Sequence, residues 1–200
     1  MPTTEDKEGK LSREQGQALV KLARLTLENH LHKTDLPLDE DVRKTLSEPR
    51  LQKKQGTFIC LHIRDRLRGC IGSLAAEKPI IESVRENAVN AALHDPRFPP
   101  LSARELKETH IEVSVLSEPQ PLDYTDGQDL VHKLRPNVDG VILKKGLARS
   151  TFLPQVWEQL PEAKQFLSQL CLKAGLAAEA WKTEHPEILT YQVQYFEEPK

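Results

Sequence analysis

The hexapeptide Leu67-Arg68-Gly69-Cys70-Ile71-Gly72 (LRGCIG) decides the fold, because it reads as a β-strand with glycines on either side of a cysteine. Side chains alternate between the two faces of a strand. The alternation predicts one face with Leu67, Gly69 and Ile71 and an opposite face with Arg68, Cys70 and Gly72. Glycine weakens a strand and is usually kept where a backbone or a ligand must come close. We therefore expect the strand around Cys70 to lie in a crowded or a functional place.

A second strand precedes the hexapeptide and is expected to pair with it. Residues 57–63 carry apolar side chains on both faces, as a central strand does. The charged residues 64–66 connect this strand to residues 67–73, which predicts a hairpin although the connection lacks the Asn-Gly pair typical of tight turns. Another hairpin is predicted for residues 140–144 and 148–152.

Helical patterns alternate with these strands. Ser12 and Gln15 form a capping box before a predicted helix over 13–31, and Ser102 and Glu105 form one before a short helix. Pro79 opens a helix that ends at Asp95. Further elements are predicted as helices over 153–159 and 162–174 and strands over 110–117 and 189–195. Since a hairpin precedes a helix in residues 56–95 and again in 140–174, we predict an α+β fold with an internal repeat of hairpin-plus-helix units.

Length and charge limit the classes of protein that fit. The 200 residues suffice for one domain with a sizeable core. Residues 1–10 are charged and aperiodic, which predicts a disordered tail and leaves 11–200 as the domain. The net charge of −2 argues against a nucleic-acid partner. No apolar run approaches the ~18 residues that cross a bilayer, so no membrane span is predicted.

The cysteines indicate the compartment. Cys60, Cys70 and Cys171 are an odd number without the spacing of a disulfide framework, and the polar start of the chain does not resemble a signal peptide. We therefore expect a cytoplasmic protein with reduced thiols.

Cys70 has two readings. Free cysteine is among the most buried residue types and often acts as a small hydrophobe. A cation nearby stabilises the thiolate, however, and Arg68 is expected on the same strand face, which favours a catalytic thiol. A nucleophilic thiol needs a base, for which His62, His94 and His110 are the local candidates.

Glu112 is the second predicted catalytic residue. It lies inside the predicted strand 110–117, on the face opposite the apolar residues Ile111, Val113 and Val115, and so suits acid–base work. The alternative is a structural ion pair with Arg68 or Arg97.

Arg97 follows the 80–94 helix in the rigid segment Asp95-Pro96-Arg97-Phe98-Pro99-Pro100. Two guanidiniums, those of Arg68 and Arg97, would suit a carboxylate or phosphate, although Arg97 can equally pair with Asp95 or Glu112. The chain has no phosphate-binding loop and no metal-ligand spacing, so neither a cofactor nor a metal is predicted. The predicted binding residues are Arg68, Gly69, Gly72, Asp95 and Arg97.

Five blocks in order resemble the AMMECR family, and among its prokaryotic members the group named AmmeMemoRadiSam system protein A. They are LRGCIG at 67–72, DPRFPPL at 95–101, IEVSVL at 111–116, TFLPQVW at 151–157 and CLKAGL at 171–176. The resemblance covers nearly the whole chain, from about residue 11 to 196. It implies a two-lobed domain with mixed or mostly antiparallel sheets, and a hexapeptide near a cleft between the lobes.

The resemblance also implies partners, because the group is named for its association with a Memo-like protein and a radical S-adenosylmethionine enzyme. Two hypotheses follow. The protein is an enzyme, or a component of a modification pathway, that uses Cys70 in a cleft. Alternatively it is a non-catalytic adaptor whose cleft holds an anionic ligand or a partner chain.

Overall fold

The computed structural model describes residues 10–199, so the predicted tail lies outside the described residues apart from Lys10. Its centre is the predicted hairpin, formed by β1 (Thr57–Ile63) and β2 (Arg66–Ser73). Arg64 and Asp65 make the turn with φ angles of 52° and 59°. Two consecutive residues with positive φ match the right-handed twist of a hairpin. The hairpin is therefore confirmed without an Asn-Gly turn.

The first sheet is built on this hairpin, in the order β2-β1-β3-β8 with β3 at Thr109–Leu116 and β8 at Val193–Glu197. One face is apolar and buried, and its residues are Ile59, Leu61, Ile111, Val113 and Val115. The helices α1 (Arg13–His32) and α3 (Ile80–Leu93) contribute their apolar stripes to the same core. The capping box predicted at Ser12 and Gln15 starts α1. The apolar stripes of the helices and the apolar face of the sheet therefore pack into one hydrophobic core.

The helix α3 comes very close to the hairpin at Gly69. A Cβ atom at this position would overlap the Ala91 carbonyl oxygen of α3. Only glycine allows this approach of helix backbone to strand, so Gly69 lies in a crowded place as the hexapeptide predicts.

The chain forms two compact units, one up to Ser117 together with the segment from Gln194, and one over Glu118–Val193. The remaining helices of the first unit are α2 (Glu40–Leu46) and α4 (Ala103–Leu106). The second unit holds a sheet in the order β4-β7-β5-β6. Its strands are β4 (Gln120–Pro121), β5 (Gly140–Lys145), β6 (Ala148–Phe152) and β7 (Glu187–Tyr191). Its helices are α5 (Gly127–Lys133), a 3-10 helix (Pro154–Glu158), α6 (Ala163–Lys173) and α7 (Ala180–Thr183).

The predicted α+β class and its repeat of hairpin-plus-helix units are confirmed. The hairpin of β1 and β2 precedes α3, and the hairpin of β5 and β6 precedes the 3-10 helix and α6. Among the described residues, no helix is both long and apolar enough to cross a membrane.

The prediction of one final strand over 189–195 is wrong. The chain forms two strands here, and they belong to different sheets: β7 pairs with β4 and β5, whereas β8 lies beside β3. Tyr191 is buried against Gly140 in the second unit, while Phe196 covers Gly16 of α1 in the first. An alternating pattern of side chains reports burial on one face and not the identity of the partner strand, so it continued across the change of sheet.

We expect the substitution Gly69→Val to destabilise the protein by about 2 kcal/mol more than Ser73→Val. A valine at position 69 must push α3 away from β2, whereas Ser73 is exposed at the strand end. Urea unfolding of both variants measures the difference. Equal midpoints and slopes would show that the approach of α3 does not constrain the hairpin.

Candidate active site around Cys70

The main chain of Cys70 is held at both of its polar groups by two side chains. Its N–H donates to Asp95 Oδ2 at 2.8 Å, and its carbonyl oxygen accepts from Arg97 Nη2 at 3.2 Å. Because β2 is at the edge of the first sheet, these groups have no neighbouring strand. The carboxylate and the guanidinium take the place of that strand.

Asp95 and Arg97 form a tight pair at the end of α3. Asp95 accepts from the Arg97 main-chain N–H at 3.1 Å, from Nε at 3.0 Å and from Nη2 at 2.7 Å. The Asp95 side chain is buried while that of Arg97 is 54% exposed. The Arg97 guanidinium and the amides of Cys70 and Arg97 hold the pKa of Asp95 far below its usual value. Of the partners left open for Arg97, the structure selects Asp95.

Cys70 is joined to Cys60 by a disulfide, so the expectation of three reduced thiols is wrong for this pair. The two residues lie directly opposite each other in β1 and β2, with 4.1 Å between their Cα atoms. The outward N–H and C=O of Cys70 show that this is a pair without main-chain hydrogen bonds between its members, the kind in which side chains lie closer together. Cys171 is a free, buried cysteine in the second unit.

A β-bulge creates this pairing. Ile63 pairs with Arg66 and His62 with Leu67, so an unbroken ladder would set Cys60 opposite Gly69. The register shifts between Leu61 and His62, which leaves one extra residue in β2 and brings Cys60 opposite Cys70. Sequence analysis missed the pair because a bulge leaves no signal in the alternation of apolar residues.

The bulge also redirects Arg68, which the simple alternation placed beside Cys70. Its Nε donates to Glu105 Oε1 of α4 at 3.1 Å, and the Arg68 side chain is only 12% exposed. Hydrogen bonds from Ser102 and then from Arg68 lower the pKa of Glu105 to about 2. The predicted partnership of Arg68 with the Cys70 side chain is therefore replaced by an ion pair with α4.

Both arginines border one aromatic ring. The guanidinium carbons of Arg68 and Arg97 lie 5.9 Å and 5.4 Å from the centre of the Phe98 ring. The Arg68 Nη1 atom is buried and has no hydrogen-bond partner. Such a donor is uncommon in folded proteins and marks a place where an ion, a water or a ligand group fits.

Glu112 lies in a row with the two cysteines across three strands. Cys70 of β2 is opposite Cys60 of β1, which is opposite Glu112 of β3, so the three side chains share one face. We call this the Cys70-Cys60-Glu112 row. Burial is the main cause that raises the pKa of Glu112; His62 lowers it, and Glu197 raises it further. Among the described residues no ion pair joins Glu112 to an arginine, and Cys60 stands between Glu112 and Cys70.

The remaining predicted residues have separate positions. His62 and His110 are opposite each other in β1 and β3, two residues along each strand from Cys60 and Glu112 and therefore on the same face. His94 is the C-cap residue of α3, and its Nδ1 atom lies 3.0 Å from Asn90 Oδ1. Gly72 makes room for Phe58, whose ring a Cβ atom would overlap. In residues 10–199 no group of three or more His, Cys, Asp or Glu side chains is arranged to hold a metal ion.

Comparison with known proteins decides the family. The sequence profile of the AMMECR1 family matches residues 20–196. The chain belongs to the AMMECR1 family. A protein of Methanothermobacter thermautotrophicus is 38% identical over 190 residues, which cover 94% of this chain and 96% of that protein. Protein MK0488 of Methanopyrus kandleri is 38% identical over 200 residues, which cover 94% of this chain and 91% of that protein.

The fold of this AMMECR1-family chain is similar to a solved structure. The crystal structure of the uncharacterized protein PH0010 from Pyrococcus horikoshii superposes with a TM-score of 0.78 at 31% sequence identity, over 94% of this chain and 93% of that one. The resemblance to the AMMECR family that the five sequence blocks carry is thereby confirmed.

We expect Asp95→Asn to lower the stability of this AMMECR1-family protein by about 2 kcal/mol at pH 7, because a buried charged acceptor is lost. The folded-state pKa of Asp95 is lowered, so its stabilisation is complete above the unfolded value of about 4 and disappears as the pH falls toward the folded value. Urea unfolding between pH 7 and pH 2 checks this.

A matched control exists in the second unit, where the buried Asp139 pairs with the exposed Arg135 at 2.6 Å. Asp139→Asn should cost a similar free energy of unfolding. Only Asp95→Asn should speed hydrogen exchange in the peptide that contains Cys70. Equal exchange in both variants would mean that Asp95 does not hold the Cys70 amide.

The partner of Arg68 can be tested by double-mutant cycles. Arg68→Ala and Glu105→Ala should couple by about 1 kcal/mol, whereas Arg68→Ala and Glu112→Ala should add to within about 0.5 kcal/mol. Thermal or urea unfolding of the five variants and the natural protein measures both couplings. A coupling to Glu112 larger than that to Glu105 would contradict the geometry.

Proposed function

We propose that the protein is a component of a modification pathway and that Cys70 is its reactive thiol. The observation that carries the proposal is the double hold on the Cys70 main chain by Asp95 at 2.8 Å and Arg97 at 3.2 Å. A nucleophile contributes most when its position is fixed before the substrate arrives. Asp95 and Arg97 satisfy the polar groups at the edge of β2 and at the same time fix the Cys70 backbone in one position.

The other two cysteines are less suited to reaction. Cys60 is 9% exposed in the central strand β1 and Cys171 is fully buried in the second unit. Burial raises the pKa of the Cys171 thiol, which reduces its thiolate fraction at neutral pH. Cys70 is half-buried and is therefore the most exposed of the three cysteines.

A small anionic ligand is the substrate class that the neighbouring side chains favour. Arg97 is 54% exposed beside the Cys70 carbonyl, and the buried Arg68 Nη1 lacks an acceptor. Guanidiniums bind carboxylate and phosphate groups through paired hydrogen bonds. We assign the binding of an anionic group to Arg68 and Arg97, with Asp95 orienting Arg97. Gly69 and Gly72 support this site indirectly, because they allow Ala91 of α3 and the Phe58 ring to pack against β2.

The partners in this proposal are a Memo-like protein and a radical S-adenosylmethionine enzyme, which the family resemblance implies. The chain has three cysteines in all, at positions 60, 70 and 171, and so lacks the Cys-x-x-x-Cys-x-x-Cys pattern that binds an iron–sulfur cluster in such enzymes. Within the pathway it is therefore the accessory component, and a cytoplasmic place of action fits this role.

An adaptor without catalytic function is the second candidate, and the disulfide favours it. While Cys60 and Cys70 are joined, Cys70 offers no thiolate. In this alternative the two arginines hold an acidic group or chain end of the partner, and the Asp95–Arg97 pair serves only to cover the edge of β2.

Competitive labelling separates the two functions. The protein is reduced, the reductant is removed, and iodoacetamide is applied at a series of pH values before mass spectrometry. We expect Cys70 to react about tenfold faster than Cys60 and Cys171 at pH 7. Asp139→Asn should leave this difference in rate unchanged, whereas Asp95→Asn should reduce it.

If Cys60 or Cys171 reacts as fast as Cys70 in the folded, reduced protein, the reactive-thiol proposal is wrong. The adaptor then remains, and Cys70→Ser should bind the partners as tightly as the natural protein does.

A further inference from the structure

We infer that Cys60 and Cys70 form a thiol–disulfide exchange pair, in which an external dithiol attacks Cys70 and Glu112 gives its proton to the departing Cys60 sulfur. The inference rests on the proposed function, because it states how the Cys70 thiol is stored and released. It is carried by the Cys70-Cys60-Glu112 row, which brings a disulfide and a carboxyl group together on one sheet face.

The pairing is specific to the folded hairpin. Only the bulge between Leu61 and His62 sets the two cysteines opposite each other, and the Asp95–Arg97 pair holds Cys70 in that register. The disulfide closes a loop between residues ten positions apart, and a disulfide stabilises a protein less when it closes a short loop than when it closes a long one. Its place at the edge of the sheet also allows exchange with an external thiol, which is the role that we infer.

The two sulfurs differ in access. Cys60 lies in the central strand β1 and is 9% exposed, while Cys70 lies in the edge strand β2 and is half-buried. An attacking thiolate must approach in line with the sulfur–sulfur bond at an exposed sulfur. Cys70 is accordingly the attacked sulfur, and Cys60 is the leaving group.

Glu112 suits the proton transfer. It is directly opposite Cys60, so the Cβ atoms of the two are about 5 Å apart. Burial raises the pKa of Glu112, which keeps the carboxyl protonated to higher pH than an exposed glutamate. The groups that face it are Ser114 of its own strand, His62 of β1, His110 of β3 and Glu197 of β8. Of these, His62, His110 and Ser114 favour the carboxylate, and Glu197 favours the acid.

The steps balance. A substrate thiolate bonds to Cys70 Sγ as the bond between the two cysteines breaks, and Cys60 leaves with the electron pair and takes the Glu112 proton. The second thiol of the substrate then gives up its proton to solvent or to Glu112 and attacks the substrate sulfur of the mixed disulfide. Cys70 leaves as a thiolate. The dithiol is oxidised to a disulfide by two electrons, and the Cys60–Cys70 pair is reduced by two.

Digestion with trypsin reads the state of the pair. Arg64, Arg66 and Arg68 lie between the cysteines, so cleavage puts Cys60 and Cys70 on separate peptides that remain linked only by the disulfide. We expect the linked pair in the oxidised protein and its loss on treatment with dithiothreitol. With oxidised glutathione, Cys60→Ser should form a mixed disulfide at Cys70 about tenfold faster than Cys70→Ser does at Cys60.

Glu112→Gln tests the proton transfer, because glutamine has the same shape and no acid proton. Reduction of the oxidised variant by dithiothreitol at pH 6 should be about tenfold slower than that of the natural protein, and the difference should become smaller as the pH is raised and more of Glu112 is ionised. Glu108→Gln, which removes an exposed carboxylate paired with Arg64, should reduce at the natural rate.

Each outcome decides a separate claim. If no linked peptide forms under oxidising conditions, or if Cys60 forms the mixed disulfide first, the exchange pair is wrong, while rapid alkylation of Cys70 still supports the proposed function. If Glu112→Gln and the natural protein are reduced at equal rates at pH 6, the role of Glu112 is wrong. If the pair exchanges but reduced Cys70 alkylates no faster than Cys171, the proposed function fails instead.

Discussion

The hydrogen bond from the Cys70 amide to the buried Asp95 carboxylate is the constraint on which the site depends. A carboxylate with almost no exposure needs several donors, and Asp95 finds them in the Cys70 amide and in the main chain and side chain of Arg97. The same bond ties the end of α3 to the edge of the first sheet. Because α3 is held there, its backbone lies against Gly69, and the strand cannot slide along the helix.

A register shift of one residue determines which side chains lie next to Cys70. The bulge sets Cys60 opposite Cys70 and turns Arg68 toward Glu105 of α4. In a strand without a bulge, Arg68 and Cys70 would lie on the same face, and here they do not interact through their side chains. The basic side chain next to Cys70 is that of Arg97, which donates to the Cys70 carbonyl oxygen. The side chains beside Cys70 in the Cys70-Cys60-Glu112 row are the Cys60 sulfur and then the Glu112 carboxyl group. A disulfide and a carboxyl group therefore share one face of the sheet, and both arginines lie beside the Phe98 ring.

Local signals in the sequence were sufficient for most elements. The capping boxes at Ser12 and Ser102 start α1 and α4 as predicted, since each depends on residues only three positions apart. The strands 57–63 and 110–117 follow from side-chain alternation. The short helix α2 is not predicted, because its two apolar residues, Val42 and Leu46, are too few to define a helical period. The final strand is predicted as one because alternation does not identify the partner strand. The disulfide and the Arg68–Glu105 pair depend on a bulge and on contacts across 37 positions, which alternation cannot report.

The buried Asp95 carboxylate fixes the Cys70 backbone. The most direct measurement is a titration of the folded protein by NMR that follows the Asp95 carboxyl carbon and the Cys70 amide together. We expect Asp95 to titrate well below the ordinary aspartate pKa and the chemical shift of the Cys70 amide to change with the same midpoint. A midpoint near the ordinary value of about 4, with no matching change at the Cys70 amide, would contradict it.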